Sequence, residues 1–175
     1  MRFNETPLRG AYSIELEPIG DERGFFAQAW VRGAFLDHGL DPTIEQMNLS
    51  RTARAGTFRG FHWQDPPFGE VKTVRCVAGA VFNVIIDMRP DSATYRQWFG
   101  TELSADNLRM LYIPERFANG FLILEDDTTL LYNVSRPYEA GHERGIRYDD
   151  PAIGVEYPID VTTVSDKDAA WAPLG

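Results

Sequence analysis

Short apolar stretches cut by turn residues recur throughout this chain, and that rhythm constrains its fold more than any other feature. The spacing predicts an all-β sandwich or barrel. The segments AYSIELEP, TIEQMNLS and TFRGFHWQ read as strands, and GFFAQAW follows a turn at IGDERG. VKTVRCVAGAVFNVIIDMR reads as two strands joined at Ala78-Gly79, the second well buried. A turn follows at Pro90-Asp91, and QWFGTEL continues the sheet. SADNLRM turns into LYIP, and GFLILEDDTTLLYNVS reads as a hairpin turning at Glu125-Asp126-Asp127. VRGAFLDHGL is the best short helix, stopped at Gly39, and the tail from Asp149 is loop-rich. The expected fold is therefore an all-β jelly-roll β-sandwich with short flanking helices, one domain over residues 1–175.

Composition narrows the function classes. A chain that is 43% hydrophobic and 13% aromatic is globular rather than disordered. No apolar run approaches the roughly 20 residues that span a bilayer. The stretch MRFNETPLRGAYSIE lacks the apolar core of a signal peptide, so the expectation is a soluble cytoplasmic protein without a membrane partner. A net charge of −9 opposes a nucleic-acid surface. Within that acidic whole, Arg51, Arg54, Arg59, Lys72 and Arg75 lie close in sequence. The single cysteine, Cys76, forms no internal disulfide and reads as a buried, inert thiol.

The stretch FRGFHWQ, residues 58–64, carries the chemical question. Strict alternation puts Phe58, Gly60, His62 and Gln64 on one face, and Arg59, Phe61 and Trp63 on the other. His62 then points away from Arg59, as a core histidine with a satisfied hydrogen bond would. A glycine inside a strand often marks a bulge, however, and a bulge at Gly60 would turn both side chains to one cavity. On the next strand Lys72 shares a face with Val74 and Cys76; further on, Tyr132 shares one with Leu130 and Val134. Each alone is ordinary. Together they offer a base near neutral pH, a fixed cation and a weak acid. Three separated histidines, His38, His62 and His142, make a poor metal set, so no metal is expected.

Three longer stretches carry a resemblance. QMNLSRTARAGTFRGFHWQDPPFGEVKTVRCVAGAVFNVIIDMR, QWFGTELSADNLRMLYIPERFANGFLIL and HERGIRYDDPAIGVEYP resemble the dTDP-4-dehydrorhamnose 3,5-epimerase family, in the family's order. The resemblance implies a cupin-like jelly roll, a homodimer that needs no metal or organic cofactor. It implies a nucleotide-linked 4-keto-6-deoxy sugar as substrate. A ketone at C4 acidifies the C–H bonds at C3 and C5. Inversion then needs a base on one face, an acid on the other and positive charge at the enolate oxygen.

By the same resemblance, His62 is the base and Asp168 in SDKDA orients it, with Asp166 as the nearby competitor. Tyr132 matches the acid, and Lys72 the lysine facing the C4 oxygen. Arg23 and Arg59 match phosphate contacts, Gln46 and Asn48 polar ligand contacts, and Tyr138 an aromatic that stacks on the base. Phe26 and Glu143 match more weakly, and the family's N-terminal segment commonly crosses to the partner subunit.

The chain also departs from the family pattern. Where the family usually reads Pro-Glu-Gly-Phe-Ala-His-Gly-Phe, it has PERFANGF, with Arg116 for glycine and Asn119 for histidine. Asn119 is expected to donate a hydrogen bond to a sugar or enolate oxygen, but it moves no proton at neutral pH. Gln28 stands where glutamate is common, Asn133 where lysine is frequent, and Trp63 where tyrosine is usual. Epimerisation at both C3 and C5 is the leading expectation. The alternatives are an enzyme that inverts one centre, a sugar ketoisomerase, a non-catalytic nucleotide-sugar-binding cupin and a metal-dependent cupin oxygenase.

Overall fold

The computed structural model describes residues 1–175. In chain order the elements are β1 (Arg2–Glu5), β2 (Tyr12–Glu15), β3 (Ile19–Asp21), β4 (Gly24–Phe26), α1 (Arg32–Asp37), β5 (Gln46–Thr52), β6 (Phe58–Gln64), β7 (Lys72–Ala78), β8 (Ala80–Asp87), β9 (Trp98–Ser104), β10 (Met110–Ile113), β11 (Phe117–Ile123), β12 (Thr128–Val134), β13 (Glu143–Gly145) and α2 (Asp166–Ala169). A six-stranded antiparallel sheet runs β1-β2-β10-β7-β12-β5. A five-stranded antiparallel sheet runs β13-β6-β11-β8-β9, and β3-β4 form a separate hairpin. No helix is long and apolar enough to cross a membrane.

The inner faces of the two sheets meet in the main core. Val74, Cys76, Leu111, Ile113 and Leu130 of one sheet join Val81, Ile85, Leu103, Phe117 and Ile123 of the other, all nearly or fully buried. Each such side chain contributes roughly 1.5–3 kcal/mol by leaving water. The outer faces are covered locally. On the six-stranded sheet, Phe35 of α1 packs with Ile14, Met110 and Tyr112. On the five-stranded sheet, Phe58, Phe61, Val84 and Leu122 lie beneath tail residues such as Tyr148, Tyr157 and Val164. The tail is thus loop-rich as expected, yet it is a packing layer.

The expected hairpin at Glu125-Asp126-Asp127 is not one. β11 pairs with β6 and β8, whereas β12 pairs with β5 and β7 in the other sheet. The turn, with Asp127 at φ +57°, carries the chain across the sandwich. The two strands at Ala78-Gly79 cross in the same way, with Gly79 at φ +72°. Turn chemistry marks where a strand ends; the pairing partner is chosen by the burial of its two faces.

Candidate active site

The bulge in β6 builds the site. Asn119 stands opposite His62 and Phe121 opposite Arg59, so Gly60 and Phe61 together face Gly120. Phe58 and Phe61 consequently share one core cluster, while Arg59 and His62 line one cavity. Glycine is required at the kink. Its φ is +121°, and a Cβ there would lie 2.5 Å from Gly120 Cα.

The tail completes the wall behind His62. Thr163 pairs in parallel with Thr57, and its carbonyl accepts from Phe58 N–H at 2.8 Å. That bridge delivers Ser165, which caps α2 by accepting from Asp168 N–H at 3.1 Å. Asp168 then reaches the imidazole: its Oδ1 lies 2.6 Å from His62 Nε2. The Gly60 N–H at the bulge donates to Asp168 Oδ2 at 3.2 Å. Burial alone would raise the Asp168 carboxyl; hydrogen bonds from His62, Gly60 and Ser165 outweigh it and hold the group below its usual range. An ionised Asp168 makes His62 Nε2 the protonated nitrogen and leaves Nδ1 as the free one. Asp166, the competing carboxylate, is exposed.

Eleven side chains beyond this dyad were singled out from the sequence, and their placement divides into three groups. Arg59, Lys72, Asn119 and Tyr132 line the same cavity of about 510 Å³ as His62 and Asp168. An adjoining cavity of about 210 Å³ shares His62, Lys72 and Tyr132 and adds Gln46, Asn48, Tyr138 and Glu143. Arg23, Phe26 and Gln28 are exposed and lie outside both cavities. Arg23 closes on Asp21 within the β3-β4 hairpin.

The walls differ in chemistry. Arg59, His62 and Asn119 come from the five-stranded sheet, Lys72 and Tyr132 from the six-stranded one. The Tyr132 phenol is raised by burial, against the opposing pull of the Arg59 charge. Arg59 Nε is steadied by Thr52 Oγ1 at 2.9 Å. Gln46 donates to Asn48 at 2.6 Å, and Glu143 pairs with Lys167 at 2.6 Å.

Four contributors escaped the sequence reading. Glu70 is buried and 2.9 Å from Lys72 Nζ, and its other oxygen accepts from Gln64 Nε2 at 2.9 Å. Period two puts Glu70 on the face of Lys72, a signal that was available. Ser165 and Asp168 have the spacing of a capping pair, also visible in SDKD. Trp171 packs edge-on to His62, with ring centroids 6.4 Å apart. It seats over Gly145, where a Cβ would be 2.1 Å from the indole. Asn83 is fully buried behind Asn119. Nothing in local sequence announces the last two.

The model of the family described as dTDP-4-dehydrorhamnose 3,5-epimerase matches residues 5–175. The chain belongs to that family. A dTDP-4-dehydrorhamnose 3,5-epimerase of Sinorhizobium fredii is 40% identical over 99% of this chain and 90% of its own length. A family structure from Bacillus anthracis, with TDP and PPi bound, superposes with a TM-score of 0.95 at 36% identity, covering 99% of both chains. One from Legionella pneumophila, in complex with dTDP-4-keto-L-rhamnose, gives 0.91 at 34% identity over 97% of this chain and 90% of its own. The cupin-like jelly roll is thus the family fold, and the family's activity is that of an isomerase.

Proposed function

We propose that the protein epimerises C3 and C5 of dTDP-4-dehydro-6-deoxy-D-glucose, giving dTDP-4-dehydro-L-rhamnose. The observation that carries this reading is the pairing of a carboxylate-oriented imidazole on one sheet with a protonated phenol on the other, across one cavity. His62 Nδ1 takes the proton from the carbon next to the ketone. Asp168 holds the ring and stabilises its charged form. The electron pair moves onto the C4 oxygen, where Lys72 supplies positive charge. Tyr132 O–H returns a proton to the opposite face, and the centre is inverted. Solvent resets both groups, and the cycle repeats at the second carbon. Burial of Tyr132 keeps its proton in place at neutral pH, as an acid in this role requires.

The adjoining cavity suits the nucleotide. Tyr138 is exposed at its rim, where a ring face is free for a base to stack on. Arg59 offers a forked cation to the diphosphate. Arg23, Phe26 and Gln28 serve the site of a partner subunit in this reading. Ile19, Phe25 and Phe26 are 76%, 61% and 68% exposed on the hairpin, and Met47 and Leu49 are 58% and 72% exposed on edge strand β5. Apolar surface of that kind is supporting ground for a homodimer. Sedimentation of the purified protein tests it.

The deciding experiment is incubation with dTDP-4-keto-6-deoxy-D-glucose in D₂O, with deuterium read at C3 and C5 by NMR. Exchange and inversion at both carbons is the expected result. Exchange at a single carbon would replace this reading with that of a one-centre epimerase. Binding without exchange would leave a nucleotide-sugar-binding protein.

A further inference from the structure

Asn119 stands beside His62 on the neighbouring strand and lines the catalytic cavity. Its amide NH₂ donates to the Val84 carbonyl at 3.1 Å and to Asn83 Oδ1 at 3.2 Å. A backbone carbonyl only accepts, so Val84 fixes which end of the amide is nitrogen. Asn83 must then turn its own oxygen toward Asn119. It is fully buried, and its NH₂ is left without a partner. Orphaned buried donors are rare in folded proteins. This one accompanies the locking of a side chain in the cavity wall. The expectation that Asn119 donates to substrate therefore needs correction. Both its hydrogens are used within the protein, and the group it has to offer is its oxygen.

We propose that Asn83 is a positioning residue that, together with the Val84 carbonyl, holds Asn119 with its amide oxygen toward the cavity, where it reads a hydroxyl of the sugar. The inference rests on the epimerase reading and deepens it. A fixed amide oxygen accepts from an O–H and repels an oxyanion. The C4 oxygen, which becomes negative in the enolate, is thus kept away from Asn119 and toward Lys72. The hydroxyl at C2 or C3 takes the place opposite Asn119. The histidine usual in the family imposes no such restriction, because a neutral imidazole can turn either its N–H or its bare nitrogen to the ligand. Here the wall demands a donor from the ligand, and a sugar lacking that hydroxyl leaves the amide oxygen facing a carbon.

The test is titration calorimetry with dTDP-glucose and its 2-deoxy and 3-deoxy counterparts. One of the two deoxy compounds is expected to bind about tenfold more weakly than dTDP-glucose, the worth of one hydrogen bond. Asn119→Leu should abolish that preference while binding of dTDP alone is unchanged. Asn83→Asp keeps an acceptor for Asn119 and should keep the preference. Asn83→Leu removes one of the two acceptors, leaves the Val84 carbonyl to orient the amide alone, and should weaken the preference without abolishing it. Equal binding of all three sugars by the wild type, or a preference that survives Asn119→Leu, overturns the inference. The same protein is assayed for deuterium exchange at C3 and C5. Exchange without a hydroxyl preference sinks this inference alone; absence of exchange sinks the epimerase reading and the inference with it.

Discussion

The two walls of the cavity are built to different degrees of rigidity. On the five-stranded side, His62 is held by Asp168 at 2.6 Å, and Asp168 is held in turn by Gly60 N–H and the Ser165 cap. On the six-stranded side, no protein group hydrogen-bonds the Tyr132 hydroxyl, and burial merely keeps it protonated. The difference suits the two proposed tasks. A base must be aimed at a weak carbon acid and must keep its charged form stable once formed. An acid that returns a proton must meet a carbon whose position shifts between C3 and C5, and a free phenol adapts. Lys72 lies between these extremes, tied to Glu70 at 2.9 Å.

The largest effect is expected from removing the anchored member. His62→Asn should lower exchange at both carbons by roughly 10³-fold, within the range for losing a positioned base. Binding of dTDP, read by calorimetry, should change little, since the contacts proposed for its base and diphosphate are Tyr138 and Arg59 rather than His62. Tyr132→Phe should lower inversion by about 10²-fold. It should also separate two events that the wild type couples. Deuterium should still enter at C3 and C5, but with retained configuration, because His62 can return what it took. Equal loss of exchange and inversion would show that Tyr132 assists proton abstraction as well, and the contrast between the walls would collapse.

Asp168→Asn should have a smaller effect on turnover, roughly tenfold. It replaces a charge-assisted hydrogen bond with a neutral one of about half the strength. Its effect on stability has a sign fixed by the carboxyl's depressed pKa. Above the ordinary carboxylate value near 3.9, the ionised group stabilises the fold. That contribution is lost as pH falls through the still lower folded-state value. Urea midpoints should therefore show wild type above Asp168→Asn at pH 7, with the gap closing below about pH 4. A gap that persists at low pH would mean that Asp168 acts by packing rather than by charge.

The sequence made the bulge of the anchored wall legible because that part is local. Gly60 inside a strand marked the bulge, and the bulge explains why Arg59 and His62 share a cavity despite opposite parity. The strands themselves followed from period two. The pairing of strands did not: turn residues at Glu125-Asp126-Asp127 look the same whether the chain reverses within one sheet or crosses to the other. The tail was harder still. Its packing depends on seats such as Gly145, which admits Trp171 only because it lacks a Cβ. Asn83 looked like one polar residue in an apolar strand, and only the structure sets it behind Asn119. His62 and Asp168 themselves are 106 residues apart, and it was the family resemblance that linked them before the fold did.

The smallest effect lies in the strand that supports the anchored wall. Arg116, where the family usually has glycine, adopts φ +62°, a left-handed conformation that disfavours a side chain. It immediately precedes β11, the strand that carries Asn119, and its carbonyl accepts from Met88 N–H at 3.0 Å. Arg116→Gly keeps that bond and relieves roughly 1–2 kcal/mol of backbone strain. Glycine returns part of this through the greater freedom of its unfolded chain. A net gain of about 0.5–1 kcal/mol is expected from urea melts, with exchange rates at C3 and C5 unchanged. A changed rate with unchanged stability would mean that the turn sets the position of β11, and hence of Asn119 beside the base. The rigidity of that wall would then extend from the side-chain dyad into the backbone beneath it.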